Sequence, residues 1–451
     1  MMNIPQQQPL TSIAILGMGR SGRAVLDQAL NLNMTVACFD DNGVETVPEA
    51  LVQPPESWPW ETLQAVVISP GIPHNFPAPH PAVILAKKHN VAVISEVEFA
   101  LRTSRQGRWV AITGTNGKST TTALTGHILQ QAGKTAVIGG NIGAPVTGLP
   151  DQTEDSIAVI ELSSYQLETT PSLRAAVRVI LNITPDHLDR HGGWTGYVQA
   201  KQAILDTATP DELAILGPGQ PLDEIAANQQ QKTRILRLDE DCLTKEARQN
   251  AQAANPALQG THNQQNCAAA RLICRELGLS DKQINDGIAS FAGLPHRLQP
   301  AGRFGHIQFI NDSKATNGEA AATALASFTR IHWCAGGLAK EDGLSACQPF
   351  LTHVQHGYFY GDCAPQFEQA VAGKIDTSCH HTLQQAVEAA VMSACQTPAD
   401  DQVILLSPAA ASFDQFTSFE ARGEAFCQIA EQQIAHLKAA QTAEERTVGH
   451  V

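Results

Sequence analysis

The 451-residue sequence is poor in the features that mark several large protein classes. Basic residues are in deficit: 30 Lys and Arg stand against 44 Asp and Glu, a formal charge of −14. Affinity for a nucleic-acid backbone rests on clustered cations, so no nucleic-acid partner is expected. Small anionic ligands remain open, since a few local donors suffice for them. No apolar run of about 18 residues is present to span a bilayer. The start, "MMNIPQQQPL", lacks the basic segment and apolar run of a secretory signal. No membrane insertion and a cytoplasmic location are therefore expected. The 10 cysteines form no CxxC pair, and no two are closer than Cys267 and Cys274. That spacing offers no zinc motif and suits reduced, buried thiols.

What is present alternates short β-rich runs with longer helical stretches, which points to α/β domains with mainly parallel sheets. Three blocks emerge, at 1–103, 104–295 and 296–451. The first carries "SIAILG", "MTVACFD", "AVVISPG" and "VAVISE". The second opens on "WVAIT" and carries "IAVIELSS" and "VRVILNITPDH". The third carries "HIQFINDSKATN", "IHWCAGG", "HGYFYGD" and "VILLSPA". The joints near 101–108 and 293–300 are polar and bear Gly or Pro, as linkers do. The stretch from about 217 to 258 is rich in Gln, Asn and Asp and gives no clear pattern.

In the first block, "GMGRSG" sets Gly17, Gly19 and Gly22 in G-x-G-x-x-G register, between a strand and a helix. Asp40 ends the next strand. This pattern fits a dinucleotide cofactor. Small residues at a helix N-terminus also suit any nucleoside diphosphate, so that alternative stays open.

The second block contains "GTNGKST", which lacks Walker A spacing: the first glycine should stand at Ile112 but comes at Gly114. It still joins a strand to a helix. Gly114, Thr115, Asn116 and Gly117 can turn backbone N–H groups inward, Lys118 can reach the β- and γ-phosphates, and Ser119 or Thr120 can meet Mg²⁺. Glu161 ends one later strand, and another leads into Asp186 and His187; strand ends of this kind line the ligand crevice of open α/β sheets. Lys201 shares an apolar helical face with Tyr197, Ile204 and Leu205. A lysine so placed usually snorkels to solvent. The alternative is a desolvated neutral amine able to take up CO₂ as a carbamate, an anionic ligand for Mg²⁺.

Taken together, "GTNGKST", "GGNIG", "ELSSYQLETT", "NITPDHLDRH", "GTHNQQN", "GLPHR", "INDSKATN" and "LLSPAAASFDQF" resemble the Mur ligases, over nearly the whole chain and in the family's order. "NDSKATN" and the "GMGRSG" block favour the member that adds D-glutamate to UDP-N-acetylmuramoyl-L-alanine. The resemblance implies three domains: an N-terminal Rossmann-like domain for the UDP substrate, a central P-loop-type mononucleotide-binding domain, and a C-terminal Rossmann-like domain that binds the amino acid and completes the ATP site. It implies ATP cleavage through an acyl phosphate in peptidoglycan precursor synthesis, two Mg²⁺ ions, and a monomer.

The roles implied fall residue by residue on this sequence. Gly114 to Thr120 would hold the phosphates of ATP, and Lys118, His187 and Lys201 would be catalytic. Ser119, Thr120 and Glu161 would serve one Mg²⁺, and His187 with carbamylated Lys201 the other. Asn266, Arg297 and Asp312 would contact the base and ribose of ATP. Gly19, Arg20, Ser21, Asp40 and Gly71 would hold the uridine diphosphate, with Asn141 and Ser163 nearer the muramoyl-alanine end. Lys314, Thr316, Lys340, Ser412 and Phe419 would receive D-glutamate. Two positions depart from the family pattern. Leu338 stands where an Asp is common, and Asp41-Asn42 replace a hydroxyl-and-Arg pair associated with uracil contact.

Overall fold

A computed structural model of the chain describes residues 9–44, 47–103, 107–150, 152–238, 255–258, 261–339, 343–396 and 401–448. The chain divides into two compact units, Met1–Phe291 and Ala292–Val451. The first unit holds two parallel sheets, of four and six strands, and the second a six-stranded sheet with one antiparallel edge.

The first sheet runs β1 (Ser12–Leu16), β2 (Thr35–Phe39), β3 (Ala65–Ile68) and β4 (Ala92–Ser95) in the spatial order β2-β1-β3-β4. Helices α1 (Arg20–Asn31) and α2 (Pro81–Lys88) connect its strands, and α3 (Glu96–Thr103) follows the last. β1, β3 and most of β2 are buried, as continuous apolar runs covered on both faces require.

The central sheet has β5 (Arg108–Thr113), β6 (Ala136–Gly140), β7 (Ile157–Glu161), β8 (Val177–Ile180), β9 (Leu213–Leu216) and β10 (Arg234–Arg237), ordered β10-β9-β8-β5-β7-β6. The chain enters at β5, fills one side with β7 and β6, then crosses to β8. β5 is therefore the switch point, and its carboxyl end opens between those of β7 and β8. Helices α4 (Lys118–Gln131), α5 (Ser164–Leu167) and α6 (Trp194–Gln202) follow β5, β7 and β8. The joint after the first block is no loose linker up to Thr103. α3 sends Val97, Ala100 and Leu101 into the core of the central sheet, and Glu98 accepts from the N–H and hydroxyl of Ser172 at 3.0 and 2.6 Å.

The second unit orders β11 (Gln299–Phe304), β12 (Ile307–Asn311), β13 (Ile331–Gly336), β15 (Val354–Tyr360), β16 (Asp376–His380) and β17 (Gln402–Leu406) as β11-β12-β17-β13-β15-β16. Only β11 is antiparallel in this sheet. A two-residue pair, β14 (Leu338–Ala339) with β18 (Ala410–Ala411), closes the turn after β13 against the turn after β17.

Arg178 breaks the apolar run of β8 yet is fully buried. Its guanidinium donates to Ile204 O at 2.6 Å, Leu173 O at 3.1 Å and Glu212 Oε2 at 2.9 Å. This one side chain ties the turn after α6 to the start of β9. Removing one partner of a buried pair leaves the other uncompensated, at a cost of about 3 kcal/mol. Arg178→Met should lower the unfolding free energy of the first unit by about that amount in guanidinium titrations; wild-type stability would contradict this.

Candidate phosphate site and its surroundings

The loop after β5 is fixed from the neighbouring strand end. Asn182, just past β8, accepts from Asn116 N through Oδ1 at 2.8 Å and donates back to Asn116 O at 3.1 Å. Thr115 N donates to Asn182 O at 3.0 Å, and Thr115 Oγ1 lies 3.0 Å from Tyr197 Oη. Gly117 is the N-cap of α4 at φ 83°, a left-handed conformation that favours glycine. A Cβ there would stand 2.3 Å from Asn266 Oδ1, so glycine is also needed for closeness. Asn266 is buried and accepts from Thr121 Oγ1 at 3.2 Å, which brings this distant residue to the loop. Gly117 offers no side chain to the first-turn amides of α4, and that turn has no acidic residue. Such a helix start suits an anion. Ser119 is buried and Thr120 half-buried in it.

Two amines meet on one carbonyl. Lys118 Nζ donates to Gly114 O at 2.9 Å and to Thr115 O at 2.8 Å, and Lys201 Nζ donates to Gly114 O at 2.7 Å. Lys201 does not snorkel: it is 2% exposed and lies 4.8 Å from the Tyr197 ring centroid. Burial, and then the Lys118 charge, hold its pKa well below the ordinary lysine value, against the pull of Asp186 and Glu161. An amine so placed readily sheds its proton, and a neutral amine is a nucleophile.

Glu161 is 1% exposed at the end of β7. Its Oε1 accepts from Asn141 Nδ2 at 2.8 Å, while its buried Oε2 makes no hydrogen bond. His187 sits at φ 51° with its ring 5.3 Å from that of Tyr165 and Nε2 3.5 Å from Asp186 Oδ2. Ser163 caps α5 in a reciprocal box with Gln166. Among the described residues, no three His, Cys, Asp or Glu side chains are gathered as a metal cluster. Mg²⁺ does not need one, because it is commonly held by one or two carboxylates together with phosphates and water. The free Oε2 of Glu161 and the deprotonable Lys201 fit such an ion.

The glycine-rich turn of the first sheet is equally tight. Gly17 lies at φ 90° with Ser69 Oγ donating to its carbonyl at 2.9 Å, and a Cβ on Gly22 would meet Gly17 O at 2.0 Å. Gly19 caps α1 and is exposed with Arg20; Ser21 is half-buried. Asp40 accepts from Met18 N at 2.6 Å and Asn42 N at 2.9 Å. Partial burial pushes the Asp40 carboxyl up, but these bonds outweigh it and hold it below the usual range. Gly71, exposed past the end of β3, completes the rim. Asp41 pairs with His80 at 3.1 Å, which gives the departure at this position a local structural partner.

In the second unit Asp312, Lys314 and Thr316 follow β12, Ser412 and Phe419 follow β17 and β18, and Arg297 precedes β11. Lys314 Nζ lies 3.8 Å from the Phe419 ring centroid, Thr316 N donates to Lys314 O at 2.8 Å, and Ser412 is buried beyond β18. Arg297 is half-buried, near enough to Asp312 to favour its charged form. Lys340 lies outside the described residues. The sequence reading missed Arg422. It is fully buried and donates to Ser313 O at 2.9 Å, Ala410 O at 3.0 Å and Gly336 O at 3.3 Å, locking all three strand ends together. Its signal was an arginine in line with Phe426 and Ile429, on the apolar stripe of the helix Phe419–Val448.

Asp312 accepts from Ser407 Oγ at 2.8 Å and Leu298 N at 3.2 Å. Burial still pushes its pKa up from 3.8 to about 7. The folded chain therefore holds a proton that the unfolded chain has lost, and stability falls as pH rises from about 4 to about 7. Melting temperatures across that window should show this slope in the wild type and lose it in Asp312→Asn; parallel profiles would contradict the assignment.

Comparison with known proteins identifies the family. The family model for the Mur ligase middle domain matches residues 112–274. The UDP-N-acetylmuramoylalanine–D-glutamate ligase of Rhodospirillum rubrum is 38% identical over 95% of this chain and 96% of its own. The ligase of the same name from Caulobacter vibrioides is 36% identical over 92% of this chain and 94% of its own. Among solved structures, MurF from Thermotoga maritima in complex with ADP aligns with a TM-score of 0.58 at 14% identity, covering 96% of this chain and 97% of that one. MurC from the same organism aligns at 0.56 and 15%, covering 95% and 99%. With relatives this similar over nearly its whole length, the chain belongs to the Mur ligase family, among its UDP-N-acetylmuramoylalanine–D-glutamate ligases.

Proposed function

We propose that the chain joins D-glutamate to UDP-N-acetylmuramoyl-L-alanine with cleavage of ATP to ADP and phosphate, in peptidoglycan precursor synthesis. The observation that carries this reading is the pair of amines, Lys118 and Lys201, on the Gly114 carbonyl at the head of α4. A hydride-transfer enzyme has no use for it. The alanyl carboxylate is a poor electrophile because its leaving group would be oxide. Its oxygen attacks the γ-phosphorus, ADP departs, and an acyl phosphate results. The amine of D-glutamate then adds to the acyl carbon and loses a proton, and the tetrahedral adduct expels phosphate.

Positioning and charge neutralisation dominate phosphoryl transfer. Lys118 and the amides of α4 meet the phosphate charge, while Asn182 holds the loop to shape. Ser119, Thr120, Glu161, His187 and Lys201 as its carbamate would hold two Mg²⁺ ions, which when bound neutralise charge on the transferring group. Carbamate formation joins Lys201 Nζ to the carbon of CO₂ and releases one proton. Gly19, Arg20, Ser21, Asp40 and Gly71 receive the uridine diphosphate, and Asn141 and Ser163 the muramoyl-alanine end. Asn266, Arg297 and Asp312 contact the base and ribose of ATP. Lys314, Thr316, Lys340, Ser412 and Phe419 receive D-glutamate.

Phosphate release should require ATP, UDP-N-acetylmuramoyl-L-alanine and D-glutamate together, and fall away across a panel of L-amino acids. Release from ATP alone at the same rate would contradict the reading. Lys118→Ala and Lys201→Ala should each lower kcat by roughly a hundredfold or more. Activity of the wild type should fall in CO₂-free buffer and return with bicarbonate; undiminished activity there would refute the carbamate.

A further inference from the structure

A largely buried carboxylate outside the phosphate loop draws three basic groups from two separate turns. Glu168 follows α5 directly. Its Oε1 lies 3.1 Å from His191 Nδ1, and its Oε2 lies 3.7 Å from His74 Nε2 and 3.9 Å from Arg190 Nη1. Arg190 Nη2 also donates to Ile72 O at 3.0 Å, and its guanidinium covers the Tyr165 ring at 4.9 Å. His191 Nε2 lies 3.0 Å from Ser164 Oγ, so the turn bearing Arg190 is anchored to α5 as well.

The two turns have different loyalties. Ile72 and His74 follow β3 of the first sheet, beside Gly71. Arg190 and His191 follow β8 of the central sheet, beside His187. Buried ion pairs add little net stability, and this one is incompletely bonded: Glu168 Oε2 and Arg190 Nε and Nη1 are buried without hydrogen-bond partners. Stability alone is a poor account of it. Its distinctive property is that it fixes one turn against the other.

We propose that Glu168 and Arg190 are positioning residues that set the spacing between the nucleotide end and the acyl end of one substrate. This rests on the functional reading above, in which the Gly71 turn meets the uridine diphosphate and His187 would hold a Mg²⁺ ion at the phosphoryl group that is transferred to the acyl end. A ligand that engages both turns feels the spacing. A ligand that engages only one does not.

Calorimetry on the full chain tests this with three ligands: UDP-N-acetylmuramoyl-L-alanine, UDP and ADP. In Glu168→Gln and Arg190→Lys, affinity for the full substrate should fall about tenfold, the effect of losing about one charge-assisted hydrogen bond. Lys keeps the charge but cannot reproduce the guanidinium's fork and stacking. Affinities for UDP and for ADP should stay within about twofold of wild type, and the unchanged ADP affinity reports that the fold survives. Wild-type affinity for the full substrate in both variants would overturn the proposal. So would an equal loss for UDP and full substrate, which means local damage to the nucleotide turn, or a parallel loss for ADP, which means general damage. Wild-type protein that binds ADP but neither uridine compound would overturn the functional reading itself, and the proposal with it.

Discussion

One backbone carbonyl, that of Gly114, accepts hydrogen bonds from two lysine side chains, at 2.9 Å from Lys118 and 2.7 Å from Lys201. Two ammonium groups cannot share so small a space cheaply when one of them is buried. The conflict has two resolutions. Lys201 can give up its proton, or an anion can arrive to balance the pair. A phosphate group and a carbamate both supply that anion. Much of the surrounding architecture serves to hold the conflict in place: Asn182 clasps the loop from β8, Tyr197 covers the Lys201 amine from α6, and Glu161 waits at the end of β7 with one oxygen unbonded.

The sheets explain why these groups meet. In the central sheet the chain enters at β5 and places later strands on either side of it, so three carboxyl ends converge. The first sheet repeats the device around β1, between the ends of β2 and β3. In the second unit the device is reversed, with β17 entering last between β12 and β13, and Arg422 ties their ends through three carbonyl oxygens and the Ser313 hydroxyl. Each crevice is floored by backbone amides and glycines that admit no Cβ, a construction suited to phosphates and carboxylates.

Much of this was legible in the sequence, for identifiable reasons. "GTNGKST" and "GMGRSG" are local: strand, tight turn and helix lie within a few residues, so spacing alone states the chemistry. The strands of the first block and most of the core strands of the other two were plain from apolar runs. What spacing cannot state is where a charged side chain on an apolar stripe finds its partner. Lys201, Arg178 and Arg422 all look alike in one dimension. Their different fates depend on carbonyls and carboxylates brought from far along the chain: Gly114 for the first, Glu212 and Ile204 for the second, Ser313 and Ala410 for the third. The cluster around Glu168 was hidden for the same reason, since His74 and Arg190 are 116 positions apart in the sequence. Asp41 looked like a lost uracil contact, and its pairing with His80 emerges only in three dimensions.

The central claim is that this loop presents a γ-phosphate to a carboxylate rather than to water. Isotope transfer tests it most directly. UDP-N-acetylmuramoyl-L-alanine carrying ¹⁸O in its alanyl carboxylate is turned over with unlabelled ATP and D-glutamate, and the released phosphate is weighed by mass spectrometry. The account predicts one ¹⁸O atom in each phosphate, because the carboxylate oxygen that attacks phosphorus leaves with it. Phosphate free of the label would contradict it.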